Sequence, residues 1–125
     1  MIKSIIYVAV TAVLIFTLSF FEQTTVKNNF ETLSESISVL KTNAENETLT
    51  EADVKNFQNE WIKSKEVLHV YIPHNEIKEV DLWISECLYY AKEKDYSEAR
   101  AKCEVIAELF EQIPKTFSVR KENLL

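Results

Sequence analysis

The chain has 125 residues, a formal net charge of −6 and no glycine. Glycine-rich phosphate loops, dinucleotide-binding turns and nucleophile elbows need backbone that approaches a ligand closely or takes positive φ, so such sites are excluded. Lys3 is the only charged side chain before Glu22, which leaves the rest of the chain at net −7 and argues against a nucleic-acid surface built on Lys and Arg.

The first predicted element is a membrane-spanning helix. Residues 5–21, IIYVAVTAVLIFTLSFF, carry no charge and are broken only by Thr11, Thr17 and Ser19, whose hydroxyls can bond back to the helix. At about 1.5 Å per residue this run covers about 26 Å, and Met1 and Ile2 extend it toward the ~30 Å hydrocarbon core. A cleaved signal peptide is the competing reading. The anchor is favoured because the run exceeds the usual length of a signal core and ends in Ser19-Phe20-Phe21-Glu22, without a small-x-small cleavage site. Lys3 and the amino terminus favour the inside, although Lys27 lies close to the other end. The expected topology is single-pass in the cell membrane, with the C-terminal domain extracytoplasmic.

Beyond the anchor, Val26, Phe30, Leu33, Ile37, Leu40 and Ala44 recur at alternating spacings of four and three, a short heptad seam. Because it starts within two turns of the membrane run, anchor and seam can form one rod with residues 23–29 as a wet junction. At under three heptads the seam packs on the same chain or self-associates, with the first preferred. Residues 43–49 are polar and read as a long loop, containing the sequon Asn46-Glu47-Thr48.

Thr48 with Glu51, or Thr50 with Asp53, marks the next helix start as a hydroxyl cap followed three residues later by an acid. Its buried stripe is Val54, Phe57, Trp61, Leu68 and Tyr71 or Ile72, and Pro73 ends it at about residue 71. His74 or Asn75 then caps a helix burying Ile77, Val80, Ile84, Cys87, Leu88 and Ala91. Asp95 starts a last helix through Ala99, Cys103, Ile106, Phe110 and Ile113, which Pro114 closes. The fold class is all-α: an N-terminal transmembrane helix (1–22), a stalk helix and loop (23–47), and an antiparallel bundle (48–125) of three to four helices in all.

Cys87 and Cys103 flank the turn at Asp95 symmetrically, so in an antiparallel hairpin they lie at one height and on facing seams. Either a disulfide or a pair of buried thiols satisfies this placement. His69 and His74 do not share the i, i+4 face of helical zinc sites, and the acidic side chains are spread through the helices. No pair of carboxylates is marked for acid–base work, and Trp61, Trp83, Tyr89 and Tyr90 fit core or helix-interface positions. Neither an enzyme nor a cofactor is expected.

The anchor, Trp61, the segment Tyr71-Ile72-Pro73-His74-Asn75-Glu76-Ile77, the acidic turn at Asp95 and the closing Glu122-Asn123-Leu124-Leu125 together resemble the domain of unknown function 4363 family of Gram-positive spore formers. The resemblance, carried by the motif residues Trp61, His74, Glu76 and Asn123, implies an accessory subunit beside a multi-span membrane protein, with His74 and the Asn123 ending as positions for fold or partner contact. Two functions are therefore expected in order. The first is an interaction subunit of a membrane complex using the seam Val26, Phe30, Leu33, Ile37 and Leu40. The second is an extracytoplasmic sensor binding a small ligand between its helices.

Overall fold

The computed structural model describes residues 1–124, with side chains through residue 123. Four helices follow one another: α1 Ile2–Glu45, α2 Glu51–Leu68, α3 His74–Lys92 and α4 Tyr96–Leu124. Each packs against its two neighbours in the order α1, α2, α3, α4 and back to α1, and among the described residues the backbones of diagonal helices do not approach one another. This is an up-down-up-down bundle, as tight turns and one apolar stripe per helix require.

α1 is unbroken for 44 residues, about 66 Å at 1.5 Å per residue. Its N-terminal half is long and apolar enough to cross a membrane and is buried against nothing. Thr11 and Thr17 donate their hydroxyls to the carbonyls of Tyr7 and Val13, at 2.8 Å each, which removes two polar groups from this apolar surface.

The C-terminal half of α1 belongs to the bundle and forms no separate stalk. Val26, Phe30, Leu33, Ile37, Leu40 and Ala44 are at most 5% exposed and join one core with residues from all three other helices. The expected boundary at residue 47 is thus absent, because the seam is shorter than a free coiled coil needs and finds its partner in α4. Phe110 of α4 sits at the centre of that core, with ring centroids 5.8 Å from Phe30, 6.1 Å from Phe57 and 5.8 Å from Trp61.

The turns differ from the sequence reading in instructive ways. Residues 43–49 make a tight reversal, with Ala44 and Leu49 buried in the core. Glu47 takes φ 57°, its N–H donates to Ala44 at 3.1 Å, and the Thr48 N–H donates to Asn43 at 2.8 Å, the two bonds of a Schellman cap. Lys94 repeats the device after α3, with φ 57° and an Asp95 N–H to Tyr90 bond of 2.9 Å. Both positions normally favour glycine, which this chain lacks.

Of the two proposed starts for α2, Thr50 is the cap: Asp53 N–H donates to its hydroxyl and Thr50 N–H to the Asp53 carboxylate, both at 3.1 Å. α2 ends at Leu68, three residues before the predicted limit, and the chain turns there, with the Tyr71 and Ile72 N–H groups both donating to the Leu68 carbonyl at 2.9 Å before Pro73. Ile72 is buried there and Tyr71 half-buried. Pro73, not His74 or Asn75, is the N-cap of α3, with no side-chain cap bond. On α3 the predicted stripe is buried except for Leu88, which is half-buried. Asp95 does cap α4, accepting from the Glu98 N–H at 3.2 Å.

Pro114 does not end α4; the helix continues through it to Leu124. Buried Phe117 and two ion pairs, Arg120 to Glu76 at 3.5 Å and Lys121 to Glu22, hold the last turns in place. They offset the backbone bond that Pro114 cannot donate to the carbonyl of Phe110.

Candidate functional site

A deep concavity lies between α1 and α4. It is a groove of about 800 Å³ whose floor is Val26, Phe30, Phe110 and Phe117, with Ser34, Ala107, Pro114 and Ser118 along it. The small side chains explain it, since where α1 and α4 present Ser34 and Ala107 little fills the space above Phe30 and Phe110. Pro114 breaks the helix rule at this place, and departures from local consistency cluster where a surface has a task.

The rims are charged in layers. Lys27, Glu31 and Glu35 stand on α1, and Glu111 and Lys115 on α4. The ion pairs Lys121 to Glu22, Lys41 to Glu104 at 3.5 Å and Arg100 to Glu45 at 3.4 Å fix how α4 runs past α1. In that register Lys27 and Lys115 lie within a turn of each other near the apolar run, while Glu31 and Glu111 form an acidic layer one turn further away. Each lysine already meets a glutamate on its own helix, Lys27 to Glu31 at 3.9 Å and Lys115 to Glu111 at 3.1 Å. Such exposed pairs are weak and can be exchanged for others.

The seam residues Val26, Phe30, Leu33, Ile37 and Leu40 are consumed by the core, so they cannot form the exposed docking stripe expected of them. Only Val26 and Phe30 reach the groove floor. The sequence signal nearer to this site was the pair of small residues Ser34 and Ala107 beside the apolar stripes of α1 and α4, which apolar periodicity passes over.

The remaining candidate residues separate into two places. Trp61 is a core residue whose Nε1 donates to Asp81 at 2.6 Å, and Lys65 joins the same carboxylate at 3.3 Å. His74, Glu76 and Asn123 lie together at the end of the bundle nearest the apolar run. His74 and Asn123 are exposed there, and Glu76 pairs with Arg120. Leu125, the last residue of the closing motif, is outside the described residues. Trp83 and Tyr90 are half-buried under the Lys102 ammonium, 5.2 and 5.5 Å from their rings, and Tyr89 is exposed.

Cys87 and Cys103 face each other across α3 and α4 as free thiols with sulfurs 3.7 Å apart, both fully buried. The hydrogen bond with Cys87 and burial together hold the Cys103 thiol far above the ordinary thiol range. Among the described residues no group of three or more His, Cys, Asp or Glu side chains is placed to hold a metal ion.

Fold and groove define the class: a four-helix bundle whose first helix extends into an apolar, membrane-length segment. Within that class the chain belongs to the family described as Domain of unknown function (DUF4363), whose model matches residues 20–124. The match begins just before the bundle half of α1, in agreement with a folded unit that includes residues 23–47. No curated protein matches the chain, and no solved structure does.

Proposed function

We propose that this protein is an interaction subunit anchored in the cell membrane by the first half of α1, with its bundle on the extracytoplasmic side. In this reading the α1–α4 groove receives a helix of an integral membrane partner. The observation that carries the reading is the position of the groove. It begins at Gln23, directly after the charge-free run, and follows α1, so a helix leaving the bilayer beside α1 is led into it.

The rim charges favour a different chain over a second copy. Two copies anchored in one membrane and paired through this face about a two-fold axis would set Lys27 and Lys115 against the same lysines, and Glu31 and Glu111 against the same glutamates. Like charges at one level oppose that pairing. The matching partner helix carries an acidic residue in its first turn above the bilayer, basic residues one to two turns further on, and an apolar stripe toward the groove.

Affinity purification of the full-length protein from native membranes in mild detergent tests this reading. One integral membrane protein should co-elute in fixed ratio, should carry that charge order beside one of its spans, and should be lost with Ala107→Trp, which fills the groove from a half-buried position at the edge of the core, with an unchanged helical circular dichroism spectrum showing that the bundle still folds. Co-elution that survives Ala107→Trp contradicts the groove as the contact.

A second reading, an extracytoplasmic sensor for a small apolar ligand, draws support from the groove volume of about 800 Å³, inside the range of ~300–1,000 Å³ usual for such sites. Its test is a rise in melting temperature of the purified chain with a candidate metabolite, abolished by the same Ala107→Trp substitution. No rise across a broad panel counts against it.

A further inference from the structure

The same ion pairs that fix the helix register also decide which parts of the bundle stand closest to the apolar run. Lys121 meets Glu22, so the last turns of α4 are level with the first charged residue of α1. Arg120 meets Glu76 at 3.5 Å, which brings the start of α3 to that level, and the rings of Tyr71 and Phe117 lie 6.2 Å apart, which brings the α2–α3 turn there too. Residues 69–76 and 117–123 therefore surround α1 at the height of residues 22–27. Phe21, the last apolar residue of the run, is at most six residues below, about 9 Å along the helix.

We propose that this end of the bundle rests on the lipid head groups of the bilayer that α1 enters, with Val70 at the tip of the α2–α3 turn inserted among them. The proposal rests on the anchor reading of α1, and it holds for either leaflet. Three observations support a lipid surface as the occupant. First, α1 is one unbroken helix through residues 20–27, with no linker, so whatever bilayer accepts the apolar run is brought against this end. The head-group layer is about 5–7 Å thick on each side, close to the height at which the turn lies.

Second, two large apolar side chains are left uncovered here, Val70 at 71% exposure and Val119 at 55%. Val70 sits on the turn, where neither the core nor a neighbouring helix has a use for it. Third, the acidity of the domain is absent from this end: acidic and basic side chains balance over residues 22–27, 69–79 and 116–123, whereas the chain beyond Lys3 is strongly acidic. A surface that repelled lipid phosphates would carry the opposite bias.

The test uses the full-length chain in vesicles of phosphatidylcholine and phosphatidylglycerol, with an environment-sensitive fluorophore attached through Leu14→Cys, Val70→Cys or Glu47→Cys. Cys87 and Cys103 are fully buried and stay unlabelled under native conditions. Quenching by spin-labelled lipid reports depth, and quenching by soluble iodide reports exposure to water. The expected result is strong lipid quenching at position 14, lipid quenching at position 70 with at least a threefold loss of iodide access relative to position 47, and water-like behaviour at position 47. Position 14 quenched by lipid and position 70 indistinguishable from position 47 overturns the platform and leaves the anchor standing. Position 14 open to iodide overturns the anchor, and the platform with it. Hydrogen exchange on the unmodified chain in the same vesicles is the check free of substitution. Amides of residues 69–72 exchange at least tenfold more slowly than those of residues 46–49 if the turn is covered, and at the same rate if it is not.

Discussion

Replacing Phe110 by alanine, alone and together with Phe30→Ala, tests whether the membrane-proximal half of α1 is part of the folded unit. Phe110 is fully buried among Phe30, Phe57 and Trp61, with ring centroids about 6 Å away. Truncating a buried phenylalanine costs about 3–5 kcal/mol, and a site walled by three rings that cannot collapse onto alanine belongs at the upper end. Against a total of roughly 5–15 kcal/mol for a domain of this size, either substitution removes a large share of the stability. At about 4–5 °C per kcal/mol the melting temperature falls by roughly 12–25 °C.

The double variant should lose less than the sum of the singles by about 0.5–1.5 kcal/mol, the extra stabilisation of an aromatic pair. The assay is thermal unfolding of the full-length chain in mild detergent, followed by the near-ultraviolet circular dichroism of Trp61. That signal reports the core while the apolar half of α1 stays helical in the micelle. A loss below about 1 kcal/mol for Phe30→Ala, or strict additivity in the cycle, would refute the inclusion of residues 23–45 in the bundle.

Three further outcomes follow from particular residues. Glu47→Gly and Lys94→Gly should each stabilise by about 0.5–1 kcal/mol, because both side chains sit at φ 57° where L-residues are strained; unchanged or lower melting temperatures would speak against the Schellman turns. Above about pH 8.5 the unfolded chain releases a thiol proton that the buried, hydrogen-bonded pair of Cys87 and Cys103 retains, so the folded state binds more protons and stability falls as pH rises, by about 1.4 kcal/mol per unit. Below that pH this contribution is constant, and Cys103→Ala should flatten the alkaline decline; equal slopes for the two proteins would contradict the raised thiol. Pro114→Ala restores a donor to α4 and should stabilise by about 1–3 kcal/mol while weakening partner capture through the altered groove, as read by melting and co-elution together.

Most of the fold was legible because burial here follows helical period closely. The seam from Val26 to Ala44, the stripe from Val54 to Leu68 and the facing cysteines all lie where spacing puts them. What escaped the sequence were features decided by contacts between helices. Pro114 reads locally as a stop, and only the packing of Phe117 and the two ion pairs at Arg120 and Lys121 carry the helix beyond it. Residues 43–49 read as a long polar loop because no glycine advertises the left-handed turn at Glu47. The groove was invisible for a related reason: Ser34 and Ala107 matter only because the register of α1 and α4 opposes them, and periodicity assigns small residues no face. The seam was read correctly as apolar and as packing on the same chain, and what fails is its second use as a docking stripe, since α4 and the rest of the core cover it.

The most direct test of the central claim, that the α1–α4 groove takes a helix from a membrane partner, is site-specific photo-cross-linking in native membranes from Ser34 and, as control, from Lys63 on the far side of the bundle. One cross-linked integral membrane protein is expected from position 34, mapped to a segment adjoining one of its spans, and none of it from position 63. Cross-links from position 34 to a second copy of this chain, or the same products from both positions, would contradict it.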